Sequence, residues 1–296
     1  MMAVRVAPDG MRATMTVEVA AQGGDTDEAL HVVVQECSAR LDEAFASGVR
    51  QVLWRAEVGD ERSRRVAWAC GFTFEGSLRG DWVSGSAVSD SWVATLLAAD
   101  SREPKTRWLE PVRLTGPGVV LRDQEAADET RYVETMVDPV SLQWLGTLSL
   151  PRSAEDFRSM LARRSYGPST GTSVTWTVAE PATDRYLASV SLFSIGGIDY
   201  KSAEVGYRTH PDARRTGVLR SALRLVIAHA FTLESDGGIG LERISLGAGD
   251  TNLGSQGVAR SCGFVETGRD RRCYDLYDGS VVDLVRFDLL RSEAEV

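Results

Sequence analysis

Two stretches of this 296-residue chain repeat each other in order, and internal similarity of this kind restricts the possible folds more than any single motif does. Ser63 through Ala69-Cys70-Gly71-Phe72 parallels Ser255 through Ser261-Cys262-Gly263-Phe264, with Asp60 opposite Asn252 and Gly76 opposite Gly268. Asp90 to Leu97 resembles Asp283 to Leu290, and a helix ending Asp42-Glu43-Ala44-Phe45 answers one ending Ala228-His229-Ala230-Phe231. Upstream, Val17-Glu18-Val19-Ala20 is expected to stand opposite Ala203-Glu204-Val205-Gly206. Too few residues precede Val17 to hold everything found between Val112 and Ser202, so the first copy is expected to be truncated. The expected architecture is therefore a tandem α/β (α+β) chain, each part a mixed central sheet flanked by helices and the N-terminal one partial. The polar segment Ser101 to Thr106, with Pro104, sets the boundary, giving domains 1–105 and 106–296.

Local signals fill in the two parts. In the first, Val4 to Val6 and Arg12 to Val19 read as strands around the turn Asp9-Gly10. Asp25 or Thr26 is placed to cap a helix with Leu30, Val33, Val34, Cys37, Leu41 and Phe45 at helical spacing. Val49 to Trp54 is a strand, Asp60 to Cys70 a helix, and strands follow from Phe72 and over Trp92 to Leu97. In the second part, Val112 to Arg122 is a strand or hairpin around Gly116-Pro117-Gly118, and Asp123 is expected to cap a helix over Glu125 to Val137. Ala154 to Arg164 is helical, and apolar Ser141 to Leu150, with Trp144, reads as core or as pocket lining. Val174 to Val178 and Tyr186 to Phe193 are strands. After Phe231 come strand Arg243 to Leu246, helix Thr251 to Cys262, and strands Val265 to Arg271 and Val281 to Leu290. The order is β-α-α-β-β-β-α-β-α-β-β.

One junction carries chemistry. A strand through Glu204 and Tyr207 breaks at His210-Pro211, because proline disfavours the helical state before it, and the chain resumes as a helix ending at Phe231. Between them Arg214-Arg215-Thr216-Gly217 places two positive charges and a glycine at a helix N-terminus, where free N–H groups and the dipole attract anions. The same junction in the first copy, Gly23-Gly24-Asp25-Thr26-Asp27-Glu28, is acidic and would repel a pyrophosphate.

This combination resembles the GNAT acyl-CoA-dependent N-acetyltransferases: Arg214-x-x-Gly217 after Ala203-Glu204-Val205-Gly206-Tyr207, then Asn252-x-x-Ser255 before Gly263-Phe264. It is most similar to their RimJ/RimL branch, over about residues 110 to 294. The resemblance implies that the strand before the loop splays from its neighbour. Val205, Tyr207 and Thr209 then face the pantetheine arm of acetyl-CoA, and Arg214, Arg215, Thr216, Gly217, Val218, Leu219 and Arg220 surround its pyrophosphate, with Asn252 and Ser255 also at the cofactor. For catalysis it offers Glu204 or Asp275 as the base that takes the amine proton and Ser255 as donor to the leaving sulfur. The tyrosine that many members place in the following helix is Ala259 here. Glu18 in the first copy gives Glu204 a structural reading as well.

The implied reaction moves acetyl from acetyl-CoA to a primary amine, on a protein N-terminus or a small molecule, by direct attack in a ternary complex. A non-catalytic acyl-CoA sensor or scaffold is the alternative. A net charge of -9 argues against nucleic-acid or anionic-membrane partners. Neither a signal peptide in Met1 to Gly10 nor a run of roughly 20 apolar residues is seen, so a cytoplasmic monomer or homodimer is expected. Cys37, Cys70, Cys262 and Cys273 form no CxxC pair and read as buried thiols. His31, His210 and His229 do not cluster with carboxylates at ligand spacing, so no metal is expected, and His210 is assigned to positioning the turn.

Overall fold

The computed structural model describes residues 2–7, 9–17, 27–145, 151–196 and 201–294. The chain forms two compact units, Met1–Trp108 and Leu109–Val296. In the first, β1 (Met2–Val6), β2 (Arg12–Val17), α1 (Asp27–Ala46), β3 (Gln51–Glu57), α2 (Glu61–Ala69), β4 (Thr73–Ser84) and β5 (Ala87–Leu97) follow in order. The strands lie as β1-β2-β3-β5-β4, with β2 and β3 parallel and every other pair antiparallel. Alternation explains the strands: Val52, Trp54 and Ala56 of β3 are buried and their neighbours are not. The apolar stripe of α1 closes over that face through Cys37 and Leu41, both fully buried.

The second unit begins with β6 (Leu114–Gly116) and β7 (Val119–Arg122). Four helices follow, α3 (Glu129–Val137), α4 (Pro139–Leu145), α5 (Ala154–Ala162) and α6 (Tyr166–Thr170). Then come β8 (Val174–Ala179), β9 (Tyr186–Phe193), β10 (Ser202–Thr209), α7 (Val218–Phe231), β11 (Arg243–Gly249), α8 (Leu253–Ser261), β12 (Val265–Asp275) and β13 (Val281–Leu290). They form one sheet, β12-β13-β11-β10-β9-β8-β7-β6. One face is covered by α7 and α8 over Trp176, Val205, Ile244, Leu246 and Phe287. The other carries α3 and α5 over Tyr132, Phe157 and Tyr186.

Three expectations are corrected here. Asp123 does not cap the helix before Val137: its carboxylate accepts from Gln124 N–H and Arg164, and a 3-10 turn over Ala126–Asp128 leads into α3 instead. Ser141 to Leu150 is not core, since α4 has no buried residue, and residues 146–150 lie outside the described residues. The predicted order also lacked α4 and α6, whose few residues are too short for periodicity to register.

The repeat has a structural counterpart. Strands β1-β2-β3-β5-β4 have the same order and relative directions as β9-β10-β11-β13-β12, with α1 and α7, and α2 and α8, at the same connections. Asp60 accepts from Ser63 N–H at the start of α2, as Asn252 does from Ser255 N–H at the start of α8. The hairpins share two register shifts, between Phe74 and Gly76 and between Leu78 and Trp82 in one, between Glu266 and Gly268 and between Asp270 and Tyr274 in the other. Pairing corrects the first strand of the alignment, however. Arg12 lies opposite Gln51 as Ser202 lies opposite Arg243, so the position of Glu204 is taken by Thr14 rather than Glu18. Glu18, with the acidic junction residues Gly23 to Thr26, lies outside the described residues.

Candidate active site

Strands β10 and β11 are parallel but pair over only three residues, Ser202 with Arg243, Ala203 with Ile244 and Glu204 with Ser245. Beyond that point β10 follows β9 as far as Thr209 and β11 follows β13 as far as Gly249. The sheet is forked, and the inner edge of Val205 to Thr209 presents backbone groups that no strand among the described residues takes up. In the first unit β2 and β3 stay paired from Arg12–Gln51 through Thr16–Arg55, so no such fork opens over that length.

The fork leads to the loop and helix N-terminus singled out by sequence. His210 ends β10, Pro211–Ala213 makes a 3-10 turn, and α7 starts after Gly217. Arg215 and Gly217 both have left-handed backbone, φ 60° and 85°. Such residues turn successive N–H groups toward one concave side, and the first N–H groups of a helix have no partner within it. Arg215, Thr216, Gly217 and Arg220 are exposed, and among the described residues neither arginine forms an ion pair. Arg214 is differently placed. Its guanidinium bonds Asp138 and, at 2.9 Å, the Ser141 hydroxyl at the start of α4. Burial works to raise the Asp138 pKa, but these bonds outweigh it and hold the carboxyl below its usual range. The loop thus presents one side-chain cation fewer than the sequence gives it.

The histidine reading also changes in detail. His210 is buried, with Nε2 3.0 Å from Glu134 and Nδ1 2.7 Å from Asp212 and 2.9 Å from Arg131. It does sit among carboxylates, brought together from α3 and the turn. They engage opposite ring nitrogens, which fixes the imidazole rather than converging on an ion. No group able to hold a metal is found among the described residues.

Side chains alternate along β10. Ala203, Val205 and Tyr207 face α7 and α8, whereas Glu204, Gly206 and Arg208 face the other side, where Arg208 donates to the Tyr132 hydroxyl of α3 at 2.9 Å. Glu204 is half-buried at the vertex of the fork. On the opposite face, the Tyr207 hydroxyl reaches across to α8 and lies 3.1 Å from both the carbonyl oxygen and Oγ of Ser255. Asn252 caps α8 by accepting from Ser255 N–H, which anchors Ser255 in the first turn. Asp275 is exposed at the end of β12, opposite Val281, with β13 and β11 between its strand and β10, and among the described residues no hydrogen bond or ion pair ties it to Glu204 or Ser255.

Trp144, in the segment read as core or pocket lining, is a neighbour of the fork, with partners that its sequence does not reveal. The Trp144 ring lies over Gly249 so closely that a Cβ there would be 2.8 Å away, and the Trp144 carbonyl accepts from Tyr274 of β12. The contact of Tyr207 with Ser255 is absent from the sequence reading, which assigns Tyr207 only to the cofactor arm. The parity of Tyr207 with Ala203 and Val205 was a usable signal for its direction.

Residues 119–265 match the family model described as the acetyltransferase (GNAT) domain. Over 185 residues, 60% of this chain and 93% of the relative, the sequence is 29% identical to a Bacillus subtilis protein named as a putative ribosomal N-acetyltransferase. Among solved structures, Mycobacterium smegmatis RimJ in complex with CoA-disulfide is 18% identical with a TM-score of 0.53, covering 60% of this chain and 84% of that one. Spermidine N-acetyltransferase from Vibrio cholerae, in complex with CoA and spermine, is 19% identical with a TM-score of 0.51, covering 60% and 97%.

Proposed function

Because residues 119–265 are a GNAT acetyltransferase domain, homologous to RimJ/RimL-type ribosomal protein acetyltransferases, we propose that this chain transfers acetyl from acetyl-CoA to a primary amine at the fork between β10 and β11. The fork itself carries the reading. It leaves the edge of Val205 to Thr209 open to the amides of the pantetheine arm, and it ends at N–H groups suited to a pyrophosphate. Exposed Arg215 and Arg220 add charge-assisted bonds, while Arg214 acts through its backbone and its hold on α4.

Glu204 and Ser255 stand on opposite faces of the fork, which suits opposite proton transfers. Glu204 takes the proton of the attacking amine, directly or through water, and Ser255 donates to the sulfur as it leaves. With Thr14 at the equivalent place in the unforked first unit, the carboxylate accompanies the fork and not the strand alone. Asp275 has no part in this assignment. The acceptor is an amine on a protein N-terminus or a small polyamine, in keeping with the names of the relatives. We further infer that the first unit is a degenerate copy that binds no CoA, a reading supported by its matching strand order and unbroken β2–β3 pairing.

Thiol release from acetyl-CoA, followed across N-terminal peptides and polyamines, tests the reading. Amine-dependent release is expected. Tight CoA binding without it would leave the acyl-CoA sensor as the function. In the same assay Glu204→Gln is expected to lower kcat by roughly 100-fold or more, the scale of a lost general base, with CoA affinity unchanged. Full activity of that variant would remove Glu204 from the mechanism.

A further inference from the structure

Tyr207 on β10 and Ser255 on α8 form a hydroxyl pair that links one arm of the fork to the helix after the other, and the mechanism above uses only the serine. Tyr207 Oη lies 3.1 Å from both the Ser255 carbonyl and Ser255 Oγ. Rotation about the phenol C–O bond therefore moves its hydrogen from one to the other without moving either side chain. With the hydrogen on the carbonyl, Ser255 donates its own proton back to Tyr207. With the hydrogen on Oγ, the Ser255 proton is free to point into the fork. A serine hydroxyl alone is also a far weaker acid than a phenol, whose ordinary pKa is about 10.

Resting on the acetyltransferase reading, we propose that Tyr207 is the positioning residue for Ser255 and the source of the proton that replaces the one Ser255 gives to sulfur. As the carbon–sulfur bond breaks, its electron pair stays on sulfur, which takes the Ser255 Oγ proton. Oγ takes the Tyr207 proton, the phenolate then recovers one from water, and the hydroxide so formed is neutralised by the amine proton that Glu204 releases to solvent. Both hydroxyls are restored and the product is a neutral thiol. Burial pushes the Tyr207 pKa up to about 12 against the opposing effect of its bond to Ser255. The phenol therefore enters the reaction protonated, as a weaker acid than an exposed phenol but still a stronger one than the serine hydroxyl.

The test uses the full chain with acetyl-CoA and an alanine-terminated peptide or spermidine, measuring kcat by thiol release and CoA affinity by calorimetry. Tyr207→Phe is expected to lower kcat about 10- to 100-fold with CoA affinity within twofold of wild type. Ser255→Ala is expected to lose at least as much, and the double variant no more than Ser255→Ala, because the two act as a unit. Incorporation of 3-fluorotyrosine at position 207 keeps the fold and shape while making the phenol more acidic, and kcat is expected to change with that acidity. Unchanged kcat in Tyr207→Phe, losses that multiply in the double variant, or indifference to the fluorine would each overturn the proposal alone. A wild-type chain that binds CoA but releases no thiol with any amine would overturn the acetyltransferase reading and this proposal together.

Discussion

Replacing Gly217 with Asp is expected to weaken CoA binding by about 100-fold. Gly217 sits at the start of α7 with φ 85° and nothing within 4 Å of where a Cβ would stand, so there is room for a side chain but not for a negative one. A carboxylate about 5 Å from a phosphate costs on the order of 3 kcal/mol at the effective dielectric of a protein surface. Asn has the shape of Asp and a similar tolerance of left-handed backbone, so Gly217→Asn isolates the charge and is expected to bind nearly normally. Calorimetry with CoA on the two variants makes the comparison. If Asp and Asn bind alike, the phosphates do not lie at this loop.

The largest loss of stability is expected from Arg122→Ala, about 3–5 kcal/mol, which for a unit of this size lowers its Tm by roughly 6–20 °C. Arg122 is buried on the face covered by α3 and bonds both oxygens of Asp128 at 2.9 and 3.0 Å, with Asp184 as a further partner at 2.9 Å. Burial works against its charge, yet the two carboxylates outweigh this and raise its pKa. Truncation leaves Asp128, only 2% exposed, with Thr177 and the Glu125 N–H but no cation. An unpaired buried carboxylate is the source of the cost, so the double variant Arg122→Met with Asp128→Leu is expected to be more stable than Arg122→Ala. Denaturant unfolding followed by circular dichroism measures both. A loss below about 1 kcal/mol in Arg122→Ala would mean that Asp128 finds other compensation.

Much of the site was legible because its signals are local. His210-Pro211 ends a strand wherever that strand is paired, and Gly217 before an apolar run marks the helix start. Asn252 three residues before Ser255 marks the α8 cap directly, and Asp60 and Ser63 mark the α2 cap by the same spacing. The ion pair of Arg214 is not legible for the opposite reason. Its partner Asp138 is 76 residues away and carries no mark in the sequence that ties it to the loop.

Local signals in the chain were enough to read most strands and helices, the capped helices with Cys-Gly-Phe at their ends, and the contrast in charge between Arg214 to Gly217 and Gly23 to Glu28. These rest on capping, alternation and charge, all of which act over a few residues. Strand pairing and packing were needed to see that Thr14 and not Glu18 stands where Glu204 does, that β10 and β11 part after Glu204, and that Tyr207 meets Ser255. Strand register is fixed by pairing between segments far apart in the chain, and a slip of one residue exchanges the two faces of a strand. Which side of the fork holds a carboxylate and which holds a hydroxyl pair is therefore a property of the assembled sheet.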